Sequence, residues 1–205
     1  NNCAFWCNPC YLIVMPIAVN GSGSITGISV GGLPDGCVDT DTLATSVTRG
    51  KILQVVQAVK TDVSSTTSAS FGDISGLSVN ITPSATSSKI LVTVDVKIGN
   101  NSGAGAYLRI QRDSSNIYVG DTATDRTPCL MQTYGGGDTG EGLYGMALYV
   151  GNFLDSPNTT SQVTYAVQWM RMNTATLYTN RCGSETHTQY EGRGASSITA
   201  IEVAA

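Results

Sequence analysis

From Ile52 onward, apolar and polar side chains take turns along short runs separated by turn residues. The clearest run is KILVTVDVKIG, residues 89–99. There Ile90, Val92, Val94, Val96 and Ile98 fall on one side, and Thr93, Asp95 and Lys97 on the other. A period of two is the mark of a strand with one buried and one wet face. The even-numbered residues are therefore expected to face a core.

Other runs share the pattern. Ile52 to Val59 opens the series, and Leu77, Val79 and Ile81 alternate with polar residues up to Pro83. Ala106, Leu108 and Ile110 alternate with Tyr107, Arg109 and Gln111, and Val163, Tyr165, Val167 and Trp169 with Thr164, Ala166 and Gln168. Asn116 to Val119 and Leu177 to Asn180 are short, and Ile198 to Val203 closes the series. Leu143 to Leu154 is long and mostly apolar, which predicts a strand buried on both faces. Turn clusters such as TPSATSS, RDSSN, GGGDTGEG and DSPNTT separate the runs. No segment predicts an amphipathic helix of useful length. At least eight strands without βαβ alternation predict an all-β fold, a sandwich or barrel, over residues 51–205.

The first fifty residues read differently. Residues 1–14, NNCAFWCNPCYLIV, carry no alternation and no charge. They are expected to be a leader or an upstream extension, with Met15 as the natural start. Residues 15–50 are rich in Gly, Ser and Thr, and turn pairs such as Gly-Gly and Asn-Gly recur. They predict an N-terminal attachment segment with short strands at most and one helical turn near Asp39–Val47.

Composition narrows the function. Charged residues make up 13% of the 205, about half the usual share. The net charge is −4 and the 11 Lys and Arg form no run, which argues against a nucleic-acid footprint. Tyr11 to Val19 is apolar but far shorter than the roughly 18 residues of a membrane helix. No nucleic-acid or membrane partner is expected. Of the six cysteines, Cys3, Cys7 and Cys10 crowd the start, while Cys37 stands alone. Cys129 and Cys182 are expected to be buried or half-buried thiols.

Chemistry-bearing motifs are few. The Cys3, Cys7, Cys10 spacing suits an iron–sulfur cluster, but the α/β barrel that such a cluster serves is not predicted. Gly21 to Gly27 lacks the following helix that a dinucleotide loop requires. His187 is the sole histidine, so any Ser-His-Asp arrangement would have to use it. Its polar, loop-like surroundings predict a surface side chain. Asn20, Asn80, Asn100 and Asn158 begin sequons, relevant only in a eukaryotic secretory host. No enzyme, cofactor or metal is expected. Aromatic residues Tyr107, Tyr118, Tyr134, Tyr144, Tyr149, Trp169 and Tyr178 are expected mostly in core and cross-strand pairs. The glycine-rich stretch YGGGDTGEG makes Tyr134, Asp138 and Glu141 the candidate surface-contact residues, within a contact region spanning 112–141.

Six segments together resemble a family of tail-fibre and virion structural proteins of marine tailed phages. They are NGSGSITGISVGGLPDGCVDTDTLA (20–44), GKILQVVQAVKTD (50–62), SVNITPSATSSKILVTVDV (78–96), AYLRIQRDSSNIYVGD (106–121), FLDSPNTTSQVTYAVQ (153–168) and SSITAIEVAA (196–205). The resemblance covers residues 15–205. It implies a virion location and a role in a fibre or appendage, and brings no catalytic motif. The strand order also looks like the jelly roll of tumour necrosis factor and complement globular heads, which are trimers. The expected partners are therefore a second and third copy of the chain, other virion proteins, and a glycan or protein of a host surface. A lectin-like or adhesin module of bacterial origin is the alternative, and a polysaccharide-cleaving tail spike the enzymatic rival.

Overall fold

A computed structural model describes residues 51–102, 105–133, 141–186 and 189–204, with only the backbone of Glu141 and Gly142. These residues lie in the second of two units of the chain, Arg49–Ala205. The expectations for residues 1–50 and for Tyr134, Asp138 and His187 lie outside the described residues.

The strands follow in chain order. β1 spans Ile52–Lys60, β2 Ser65–Thr66, β3 Gly72–Ile81 and β4 Lys89–Asn100. β5 spans Ala106–Arg112, β6 Ser115–Ile117 and β7 Met131–Thr133. One helical turn, α1, covers Glu141–Tyr144. β8 spans Ala147–Asp155, β9 Val163–Arg171, β10 Leu177–Thr179 and β11 Ser196–Val203.

They form two antiparallel sheets packed as an all-β sandwich. The first runs β1-β11-β4-β10-β2, with β8 on β4. β11 and β8 both pair with residues 90–95 of β4, so they must occupy its opposite edges. The second sheet runs β3-β9-β5-β6, with β7 on β5.

The period-two reading of β4 holds: Ile90, Val92, Val94, Val96 and Ile98 are all buried. They meet Leu77, Val79, Ile81, Leu108, Ile110, Tyr165 and Val167 from the opposite sheet. β9 is buried more thoroughly than its alternation predicts, since Ala166 and Gln168 are buried too. It lies between β3 and β5, so both its flanks are covered. β3 carries a register shift between Asp73 and Ser78. Gly76 lies inside that shift at φ +83°, where a side chain would strain the backbone.

Buried polar groups tie the sheets and loops together. Arg112 reaches both oxygens of Asp155 at 2.9 and 2.7 Å, and the Tyr165 hydroxyl donates to Asp155 at 2.7 Å. This joins β5, β8 and β9. Burial, then the bond to Asp155, pushes the Tyr165 hydroxyl pKa far up. Tyr149 Oη of β8 donates to the Ala106 carbonyl of β5 at 3.3 Å and bonds the Thr133 hydroxyl. Burial pushes its pKa up to about 12.

Glu202 is fully buried and forms no ion pair among the described residues. The Ser84 amide and hydroxyl donate to it at 2.7 and 2.6 Å, and Gln54 Nε2 at 2.5 Å. Burial opposes its charge, yet these donors pull its pKa down to about 2. Asn180 donates to the carbonyls of Lys60 and Asp62 and accepts from Ser196 Oγ, which clamps the end of β1 to β11.

One strand contradicts expectation. Leu143 to Leu154 is not a single strand buried on both faces. Residues 141–144 form α1, and β8 begins at Ala147. β8 is an edge strand: Tyr149 and Asp155 point inward, while Leu148, Val150 and Leu154 stand outward and exposed. Its apolar residues occupy both faces, but only one face has a partner among the described residues.

Candidate functional site

The outward side chains of the first sheet form the most distinctive surface of the described residues. Antiparallel register sets them in rows across four strands. Val55 lies opposite Ile201, Ile201 opposite Leu91, and Leu91 opposite Leu154. Four branched aliphatic side chains thus cross the sheet in one line. Val55 is 56% and Leu154 55% exposed, with Ile201 and Leu91 half-buried between them.

The next row is polar: Gln57, Thr199, Thr93 and Asn152. Gln57 Nε2 donates to Thr199 Oγ1 at 2.8 Å, so this row is partly closed on itself. Beyond it lie Val59, Ser197, Asp95 and Val150, then Lys97 opposite Leu148. Asp95 and Lys97 form an ion pair with each other. Besides that pair the face carries one further charge, Lys89 opposite Val203, so its net charge is small. At the other end Ile52 pairs with Val203, and Ile52 and Leu53 are both exposed. Strand spacing and rise make the face about 14 Å wide and 30 Å long. The outer edges of β1 and β8 pair with no other strand among the described residues.

The second sheet presents a different exterior. Gln168 Nε2 donates to Asp73 Oδ1 at 2.7 Å and Gln111 Oε1 at 2.9 Å, and Arg109 Nε donates to Gln168 Oε1 at 2.8 Å. The Arg109 guanidinium lies 4.0 Å from the centroid of the Phe71 ring. Burial lowers the Arg109 pKa, against the attraction of Asp73. Thr164 Oγ1 donates to Asn80 Oδ1 at 2.8 Å. This exterior satisfies its polar groups internally.

The contact residues expected from sequence fall mostly beyond view. Tyr134 and Asp138 lie outside the described residues, and Glu141 opens α1 with only its backbone described. The wider contact region, 112–141, is described up to Thr133. Of the aromatic residues expected in the core, Tyr149 and Trp169 are buried. Tyr107 and Tyr178 are half-buried, while Tyr118 and Tyr144 are exposed. Tyr118 stacks on Phe153 with ring centroids 5.2 Å apart, and Tyr144 meets Tyr190 edge-on at 6.4 Å. Cys182 is buried and Cys129 half-buried, both as free thiols, and burial pushes the Cys129 thiol pKa up.

Sequence reasoning missed the apolar rows because a row is a property of register. Ile201, Leu91 and Leu154 are far apart in the chain and look unremarkable singly.

Among the described residues, no group of three or more His, Cys, Asp or Glu is placed to hold a metal ion. No described helix is long and apolar enough to cross a membrane. No known protein family matches the chain, and no curated protein matches it at a significant level.

Proposed function

We propose that this chain is a non-enzymatic structural module of a virion appendage, of tail-fibre type, which assembles as a homotrimer and meets a host surface. The outer face of the first sheet carries the reading. Its apolar row crosses all four strands, and its one pair of opposite charges is mutually satisfied. A second copy of the chain is the occupant that fits. A face with little net charge offers no pattern for an oppositely charged partner, and the largest apolar patch of a protein, a few hundred Å² in area, is often a contact surface.

The footprint of the face, on the order of 400 Å², is about half of what each partner contributes to a standard interface. Assembly must therefore also engage the unpaired edges of β1 and β8. Cyclic closure does this, because each subunit can offer its face to a different patch of the next. The pairing order supports a jelly-roll reading: β1-β11-β4-β8 in one layer faces β3-β9-β5-β7 in the other. The resemblance to phage fibre proteins supports the virion setting.

Quantitative proteomics of purified particles tests the reading. The chain is expected in particles at a copy number divisible by three. Abundance in infected cells with absence from purified particles would overturn the virion role.

A further inference from the structure

We infer that the cleft between β5 and the loop 118–130 is a binding site for a neutral saccharide. The inference deepens the host-contact part of the proposed function and relies on it only for where the sugar comes from. The cleft has a volume of about 420 Å³ and is lined by Tyr107, Asp121, Asp125, Arg126, Thr127 and Gln132, among others. That is within the range of small-molecule sites, about 300–1,000 Å³.

The charges of this protein are sparse, and the fold engages most of those among the described residues. Asp155 holds Arg112, Asp62 holds Lys60, and Asp95 holds Lys97. Glu185 holds Arg181 and Arg193, and Glu202 is capped by Ser84 and Gln54. Asp73 and Asp113 accept from Gln168 and Thr164, while Lys89, Arg109 and Arg171 donate to polar neighbours. Asp121, Asp125 and Arg126 are different. All three are exposed, and among the described residues none makes a side-chain hydrogen bond or ion pair. Among the described charged side chains only Lys51 shares that condition. Three of these four unengaged charges line one cleft.

The walls are fixed even though these groups are free. Leu130 N donates to the Leu108 carbonyl at 2.7 Å, Gly120 N to Cys129 at 3.2 Å, and Arg126 N to Ala123 at 2.9 Å. The stack of Tyr118 on Phe153 holds the near end of the loop to β8. Gln132 faces Tyr107 through the β5–β7 pairing. The backbone of the cleft is thus held in place, and on binding only side chains remain to be ordered.

The residue types select the ligand. Each carboxylate accepts from two neighbouring hydroxyls, and the guanidinium fork donates to hydroxyl and ring oxygens. Tyr107 adds aromatic surface, against which the C–H face of a pyranose packs. One cation against two anions leaves the cleft net negative, which disfavours acidic sugars.

The test is a glycan array probed with the full chain, carrying neutral hexose and N-acetylhexosamine oligosaccharides beside sialylated and uronic-acid ones. Hits are titrated by ligand-observed NMR. Neutral sugars should bind. Asp125→Ala and Arg126→Ala, both at exposed positions, should each weaken binding at least tenfold with an unchanged thermal midpoint. Binding of acidic sugars only, binding indifferent to both substitutions, or no binding at all would overturn the assignment. A trimer that binds no sugar would sink this inference and leave the assembly reading standing. A sugar-binding monomer would do the reverse.

Discussion

The two sheets of this sandwich share a core and differ in what their outer faces do. On the second sheet, Arg109, Gln168, Asp73 and Gln111 form a closed hydrogen-bond network over β3, β5 and β9. On the first, Val55, Ile201, Leu91 and Leu154 line up across four strands with nothing over them among the described residues. The exterior of the second sheet is complete in water, because its polar groups have partners. That of the first sheet keeps apolar surface in contact with water, a cost that vanishes only when another surface covers it. Surface chemistry thus separates a finished face from an unfinished one within a single domain.

Substitutions can break or sharpen that contrast, and the largest effects lie in the core that both sheets share. Val94→Asp puts an unpaired charge among buried aliphatics and should destabilise by about 3–5 kcal/mol in chemical denaturation. Its neighbour Asp95 lies on the outer face, so Asp95→Val should change stability by less than about 1 kcal/mol. The reverse ranking would mean that the faces of β4 are exchanged.

Next in size is the link between the sheets. Asp155→Ala leaves Arg112 and the buried Tyr165 hydroxyl without their acceptor, and should cost about 3 kcal/mol. A cost below about 1 kcal/mol would show that the two sheets do not depend on this bridge.

The buried carboxylate in β11 gives a pH signature. Glu202 is held at a pKa of about 2, below its ordinary 4.5. A depressed carboxylate stabilises the fold fully above its unfolded value, and that contribution is lost as pH falls through the folded one. Stability should therefore decline from about pH 5 toward pH 2. Glu202→Gln should lower stability at pH 7 and flatten this acid limb. An acid limb unchanged in the variant would assign the decline to other carboxylates.

The smallest effect on the fold should come from the open face. Leu154→Lys alters an exposed edge position and should shift subunit stability by no more than about 0.5 kcal/mol. A large loss at low protein concentration would show that Leu154 packs within its own subunit.

The sandwich was legible because period two survives wherever one strand face is dry. β4 and β5 carry it, and their buried residues can be read off in order, whereas in β11 the buried Glu202 and the outward Ile201 and Val203 run against it. β8 was not legible. Leu148, Val150 and Leu154 on one side and Tyr149 and Phe153 on the other look like a strand buried twice. Sequence marks both faces as apolar but does not say whether the second cover belongs to the same chain. β9 erred in the opposite sense: Gln168 reads as a wet position, yet it is buried by the network it organises with Asp73 and Gln111. The cleft was hardest to foresee. It joins Tyr107 of a regular strand to a loop at 118–130 without periodicity, and only the β5–β7 register shows that Gln132 stands beside Tyr107. The glycine-rich stretch that drew attention to Tyr134, Asp138 and Glu141 begins just after β7, next to the cleft in sequence.

The central claim is that the outer face of the first sheet is completed by copies of the same chain. Light scattering coupled to chromatography, run on the full chain and on a Val55→Lys, Leu154→Lys double variant, tests it most directly. The parent should elute at three times the 21.4 kDa chain mass, and the variant, still folded by circular dichroism, at the mass of one chain. A parent that stays monomeric at every concentration, or a variant that stays trimeric, would contradict it.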